Sequence, residues 1–366
     1  MAAGRSSFSF ATALSLTYTS LHPTLPLLLA THLNLFSASN LSVHSVPLPS
    51  SKPAADALRS GEIDLLIGPF GSVLRERVFA ISASGNSDTS GQDLTILGQL
   101  SLAPSFAIAS TPDIRRIYDL TNKTILLSSS SSSSVAETAL MQKVLSLWGL
   151  HLERDYQFQH PTPSPSANGP ADTAAKNFAA LLNGRTEHGD PVSATLLQWP
   201  YTSLLSSPAI PAETRPYVLA RAEDYTAPWT DAVMVASSAS TTGTSPVYEA
   251  LRAFLRGLGD AEVLIRDTES ETVVLAAIRQ ALDVDEAIAK TVLGDWKHSQ
   301  EQRVGTSKAQ PVFQMDPLGT LNTLDTMKQF GAFEGAAQGF NYADLVRAGV
   351  GRFVDYGVRD SVFGEA

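Results

Sequence analysis

The 366-residue sequence predicts an α/β protein of two lobes, each with a mixed, mainly parallel sheet, followed by C-terminal helices. Three observations predict it. Strand-patterned and helix-patterned segments alternate through the first 150 residues, as parallel strands with right-handed crossovers require. Helical spacing dominates from Ser245 onward. The length exceeds what one core usually fills, and a typical domain size gives about two or three units.

Residues 13–18 alternate as a strand, and a polar turn through Ser20, His22 and Pro23 leads into a helix over 25–33. Residues 41–46 alternate again, 52–60 read as a short helix stopped by Gly61, and 62–68 form an apolar run of strand length. A turn is expected at 68–72 and a flexible stretch at 82–93, where Ser, Gly and Asp accumulate. Residues 94–98 and 106–109 read as strands on either side of Pro104 and Ser105, a candidate crossover between the lobes.

A second series starts with the strand 125–127, seven serines at 128–134 and a helix over 135–150 that ends at Gly149. Val135, Ala139, Leu140, Val144, Leu147 and Trp148 fall on one face at helical spacing. Four prolines among Ser, Asn and Gly make 161–170 an exposed loop. A helix over 172–182, strands at 192–197 and 217–220, and a returning strand at 232–236 follow. Val247, Leu251, Phe254, Leu255 and Leu258 then make one stripe behind Pro246, which suits a first helical position. Asp283 and Glu286 have the spacing of a capping box.

Composition narrows the function. With 43% hydrophobic and 17% charged residues the chain has ample core material. A net charge of −10 without any Lys/Arg cluster argues against sequence-independent nucleic-acid binding, which needs a basic patch. The absence of cysteine removes disulfides and thiolate chemistry. No run reaches the ~20 apolar residues of a membrane span. The Ser-rich start carries Arg5 but no apolar stretch of signal-peptide type, so a cytoplasmic location is expected ahead of a mitochondrial or exported one. No cofactor or metal site is expected, because the seven histidines are scattered.

Several short segments, in order, resemble a known family. Pro26-Leu27 lies in the first helix, Leu58-Arg-Ser-Gly-Glu-Ile-Asp64 precedes the third strand, Asp119-Leu-Thr-Asn-Lys-Thr-Ile125 opens the second series, and Gln198-Trp-Pro-Tyr201 follows a strand. Together they resemble the type II periplasmic-binding-protein fold, and within it the sulfonate, taurine and nitrate binders and the thiamine-pyrimidine synthases. The resemblance spans roughly residues 12 to 335. It implies a discontinuous first lobe, 1–103 plus 226–366, and an inserted second lobe, 104–225, that close as a hinge over a small-molecule ligand. It also implies a permease partner of the ABC type if the chain is exported. The synthases work through a cysteine-rich motif and a histidine after the third strand, and this chain has neither.

Four strand-to-helix turns are candidate ligand contacts, since open α/β sheets bind at the carboxyl ends of their strands. Ser20 and His22 offer a hydroxyl and an imidazole, which either meet a ligand or cap the turn. Pro69 and Phe70 stand between two glycines, with Phe70 either stacked on a planar ligand or buried as core. Ser131, Ser132 and Ser133 precede a helix whose free N–H groups favour an anion, unless the serines are only a linker. Gln198, Trp199 and Tyr201 are expected to face Trp229 and Asp231 across the cleft, with Ser105 at the crossover.

The implied function is binding of one small anionic or aromatic molecule between the lobes. The alternative is an enzyme using the same cleft with His22 as acid or base, since no Gly-x-Ser-x-Gly, His-Glu-x-x-His or P-loop motif is present.

Overall fold

A computed structural model describes residues 12–18, 25–46, 54–84, 94–100, 106–127, 135–159, 170–205, 207–226, 228–301, 313–336, 345, 347–349 and 352–364. The chain begins with β1 (Thr12–Tyr18), α1 (Leu25–His32), β2 (Leu41–Ser45), α2 (Ala54–Arg59), β3 (Leu65–Pro69), α3 (Phe70–Ser84) and β4 (Leu94–Gln99). A second series comprises β5 (Phe106–Ser110), β6 (Lys123–Leu126), α4 (Val135–Leu147), β7 (Tyr156–Gln159), α5 (Pro170–Asn183), β8 (Ala194–Gln198), α6 (Tyr201–Leu204) and β9 (Tyr217–Arg221). Then come β10 (Ala232–Ser237), α7 (Pro246–Arg266), α8 (Glu271–Leu282), α9 (Glu286–Glu301), α10 (Pro317–Gln329) and α11 (Gly357–Phe363).

These strands form two five-stranded sheets, in the orders β2-β1-β3-β10-β4 and β7-β6-β8-β5-β9. In the first, β1 is parallel to β2 and β3, and β10 runs antiparallel between β3 and β4. In the second, β6 is parallel to β7 and β8, and β5 runs antiparallel between β8 and β9. One strand in each sheet therefore opposes the other four.

The central strands of the first sheet are covered on both faces, which explains their nearly unbroken apolar sequence. Leu65 and Ile67 enter the core under α1 and α7, whereas Leu66 points to the opposite core. In β10 the same period of two sends Ala232, Met234 and Ala236 one way and Val233 and Val235 the other. The core that receives Leu66 also contains Ile108 and Ile125 of the second sheet, Leu140 of α4 and Met327 of α10, so one apolar cluster joins both lobes.

Helix α7 starts as its sequence predicts. Ser245 accepts a hydrogen bond from the Val247 N–H at 3.2 Å, Pro246 occupies the first turn, and Leu251, Phe254, Leu255 and Leu258 are buried. Past the edge strand β4, Ile96 exchanges backbone hydrogen bonds with Phe353 (2.7 Å) and Asp355 (3.1 Å). A returning C-terminal segment thus pairs with a sheet edge that would otherwise be open.

Several local expectations are corrected. No turn separates β3 from a later element: α3 follows Pro69 directly and runs to Ser84, into the start of the expected flexible stretch, the rest of which up to 93 lies outside the described residues. Pro69 is tolerated as the last strand residue before a helix start, and Phe70, Val73, Leu74 and Val78 are buried at helical spacing. The buried face of α4 comprises Ala136, Ala139, Leu140, Met141, Val144 and Leu145, while Leu147 is 63% exposed and Trp148 37%. The four-residue strand β7 is too short for alternation to reveal. Asp285, rather than Asp283, caps α9 by accepting from the Ile288 N–H at 2.8 Å, because Asp283 ends α8 in the left-handed region with φ 52°. Most of the expected loop at 161–170 lies outside the described residues, and α5 already begins at Pro170.

Candidate functional site

The carboxyl ends of β3 and β8 carry the candidate site, and a chain of contacts joins them across the two lobes. At the β3–α3 junction the Phe70 N–H donates to the Asp231 carbonyl at 2.6 Å, tying this corner to the start of β10. The next residue is Gly71, where an added β-carbon would lie 2.2 Å from the Cβ of Ala136 in α4. One helix of each lobe thus meets the other at a position that admits no side chain. Beyond Ala136, the Glu137 carboxylate is only 4% exposed and accepts a short hydrogen bond from the Gln198 carboxamide. Gln198 closes β8, and Trp199 follows it with 6% exposure. Although it directly follows a strand of the second sheet, Trp199 packs in the first-lobe core that contains Leu100, Ala232 and Phe313.

The lobes are also bridged on both flanks. Lys143 of α4 donates to the Thr326 hydroxyl of α10 at 3.2 Å, and Ser203 of α6 donates to the Asp295 carboxylate of α9 at 2.5 Å. Beneath the junction, Gln99 Oε1 accepts from the Asp316 N–H at 2.9 Å and from the Thr230 hydroxyl at 3.4 Å, and Thr230 meets Thr320 at 3.1 Å. Asp316 in turn caps α10 through the Leu318 N–H at 2.9 Å. This buried polar network fixes α10 against the ends of β4 and β10.

The sequence matches no family model and no curated protein. Solved structures do match. The alkanesulfonate-binding protein SsuA of Xanthomonas axonopodis pv. citri, bound to MOPS, superposes with a TM-score of 0.58 at 20% identity, over 89% of this chain and 94% of that one. A conserved Candida albicans gene product with the generic periplasmic-binding-protein fold gives 0.56 at 19% identity, over 89% and 92%. The desulfurization enzyme DszB gives 0.56 at 15% identity, over 95% and 98%. The chain has the SsuA-like periplasmic-binding-protein fold.

Within this fold some of the sequence-predicted residues come together and others lie outside the described residues. Pro69, Phe70, Gln198, Trp199 and Asp231 lie along the contact chain just described, and Asp231 is 4% and Gln198 5% exposed. Ser20, His22, Ser105, Ser131, Ser132 and Ser133 lie outside the described residues. The strand end before the serine run is held firmly: Asn177 of α5 donates to the Leu127 carbonyl at 2.8 Å, and Thr195 of β8 to the Leu126 carbonyl at 2.9 Å.

The aromatic residues depart from expectation. Phe70 is 0% and Trp229 1% exposed, and both pack in the core that joins the lobes, so neither presents a ring face. Tyr201 lies on Phe178 at 5.4 Å within the second lobe, in a cluster apart from those of Trp199 and Trp229. These rings do not face one another across a cleft, because Trp199, Tyr201 and Trp229 are each buried or packed in a different apolar cluster.

Sequence reasoning missed Glu137 and the Gln99–Thr230–Asp316 network. A glutamate in the first turn of a helix is ordinarily a surface residue, and only its burial against a residue 61 positions away marks it. Among the described residues no three His, Asp or Glu side chains come together as metal ligands, and no helix is long and apolar enough to cross a membrane.

Proposed function

We propose that the chain binds one small organic molecule between its lobes, at the carboxyl ends of β3 and β8. The observation that carries this reading is the contact chain from Asp231 through Gly71 and Ala136 to Gln198. It gathers buried polar groups from both lobes where open α/β sheets place ligands. The SsuA neighbour, which was solved with MOPS, supports the reading through its fold. On this basis the first lobe comprises 1–103 with 226–366 and the second 104–225, and the turns at Ser20 to Pro23 and at Ser131 to Ser133 complete the site.

A thermal-shift screen of sulfonates, carboxylates and heteroaromatic compounds against the full chain tests the proposal. A compound that binds only the folded state raises the melting temperature in proportion to its concentration over Kd. A concentration-dependent rise is the expected result, and its absence across the whole screen overturns the proposal. The enzyme alternative shares the fold with DszB. Turnover of the stabilising compound, abolished by His22→Ala, would decide for it.

A further inference from the structure

On one flank the lobes are joined by a hydrogen bond with a half-hidden carboxyl beside it. The Ser203 hydroxyl of α6 donates to the Asp295 carboxylate of α9 at 2.5 Å. Helix α9 is anchored in the first lobe, because Ile288, Val292 and Trp296 are buried in the same core as Leu65 and Leu251. Strand β9, at the edge of the second sheet, leads into a turn at 222–224 that carries Glu223, whose side chain is 14% exposed.

The charges acting on Glu223 come from both lobes. Burial is the largest influence and holds its carboxyl above the ordinary range; Asp224 of the same turn and Asp295 of α9 push the same way, and Arg221 of β9 and His298 of α9 oppose them. The Arg221 guanidinium lies 3.7 Å away. Two further elements pack on the turn: β5 has no charged residue, and on α4 Glu137 accepts from Gln198 while Lys143 donates to Thr326. Elsewhere on α9, Lys290 pairs with Glu286 and Lys297 with Glu271 of α8. Drawing α9 away from the second lobe relieves the burial of Glu223, while Asp295 and His298 leave together and act in opposite directions. The closed arrangement therefore binds the carboxyl proton more tightly than an open one. Linkage fixes the sign: closure is most favoured below the ordinary carboxylate range and loses that advantage as pH rises through the raised value.

We propose that the α6–α9 contact and Glu223 form an acid-strengthened latch, in which the lobes hold together more firmly when the carboxyl carries its proton and part more readily when it is ionised. The bridge on the other flank lacks this sensitivity, since Lys143 donates there to the neutral Thr326 hydroxyl at 3.2 Å. Opening driven by rising pH thus starts on the Ser203 side. A molecule that binds between closed lobes is held more tightly in acid on the same account.

The distance between two spin labels tests the latch. The chain has no cysteine, so Lys123→Cys on β6 and Asp260→Cys on α7, both exposed, label each lobe once. The open population, read as the longer distance, is expected to rise roughly fivefold from about pH 5 to about pH 8, the lower end of coupling between linked sites. Glu223→Gln should stay closed across that range. Arg221→Gln, which removes an opposing charge, should move the opening to higher pH, and Asp295→Asn should open the lobes even in acid because it weakens the Ser203 hydrogen bond. Distances that do not respond to pH overturn the proposal, as does a Glu223→Gln chain that responds as its parent does. The measurement uses no ligand, so that result leaves the binding reading standing.

Discussion

Gly71 of α3 and Ala136 of α4 touch across the lobe boundary so closely that a β-carbon on the glycine would sit 2.2 Å from the alanine's. Met327 of α10 closes the same spot, its sulfur 3.1 Å from that position. Gly71→Val should therefore cost about 1–3 kcal/mol, as overpacking of a tight contact does. Urea denaturation measures it. Ala136→Gly in the same chain should recover part of the loss, and strict additivity of the two changes would show that the helices do not meet here.

The second bridge between the lobes is polar. Ser203 is 1% exposed and donates to Asp295 at 2.5 Å, so Ser203→Ala removes a charge-assisted hydrogen bond. A loss of about 1.5–3 kcal/mol is expected. A double-mutant cycle with Asp295→Asn isolates the pair, and a coupling energy of zero would count against the contact. The cleft should also open more readily in Ser203→Ala, giving a larger radius of gyration by solution scattering.

The architecture was legible in the sequence wherever one period or one strong breaker governed a segment. The stripe of α7 and the stop at Gly149 are of this kind, and the structure has each. Helix α3 was hidden because Gly68, Pro69 and Gly71 spell a turn, and only the burial of Phe70, Val73, Leu74 and Val78 overrides them. The site was less legible for a related reason. Gln198 and Trp199 stood out by residue type, but their partners come from other elements: Glu137 from α4 and the apolar core from the opposite lobe. Pairings of that range leave no local trace. A thermal melt of Asp285→Ala checks one short-range correction, with a loss of about 1 kcal/mol expected for the cap of α9 and none for Asp283→Ala through that helix start.

Thr323 holds the crossover into β10 through one hydroxyl. It accepts from the Thr230 N–H at 3.2 Å and lies within donating distance of the Gly319 carbonyl at 2.9 Å and the Thr230 carbonyl at 3.2 Å. Thr323→Val keeps the shape but leaves the buried Thr230 N–H without its acceptor, at a cost of about 1–3 kcal/mol. Thr323→Ser retains the hydroxyl and should lose less. Hydrogen exchange at the Thr230 amide provides a local readout, with faster exchange expected in the valine variant alone.

Glu223 links the lobes electrostatically and should make stability depend on pH. Burial pushes its carboxyl above the ordinary range, Asp224 and Asp295 push the same way, and Arg221 and His298 partly oppose them. Arg221 lies 3.7 Å from the carboxylate, and the glutamate side chain is 14% exposed. The direction of the effect follows from linkage. A group with a raised folded pKa binds its proton more tightly in the native state, so its contribution is full below the unfolded pKa and is lost as pH rises through the folded value. At neutral pH the charged Glu223 is therefore a net cost to the fold. Glu223→Gln should raise stability at pH 7 and flatten the decline just above the ordinary carboxylate range, as read from urea midpoints at a series of pH values. Parallel curves for the variant and the parent chain would show that the buried carboxyl is not the source of that slope.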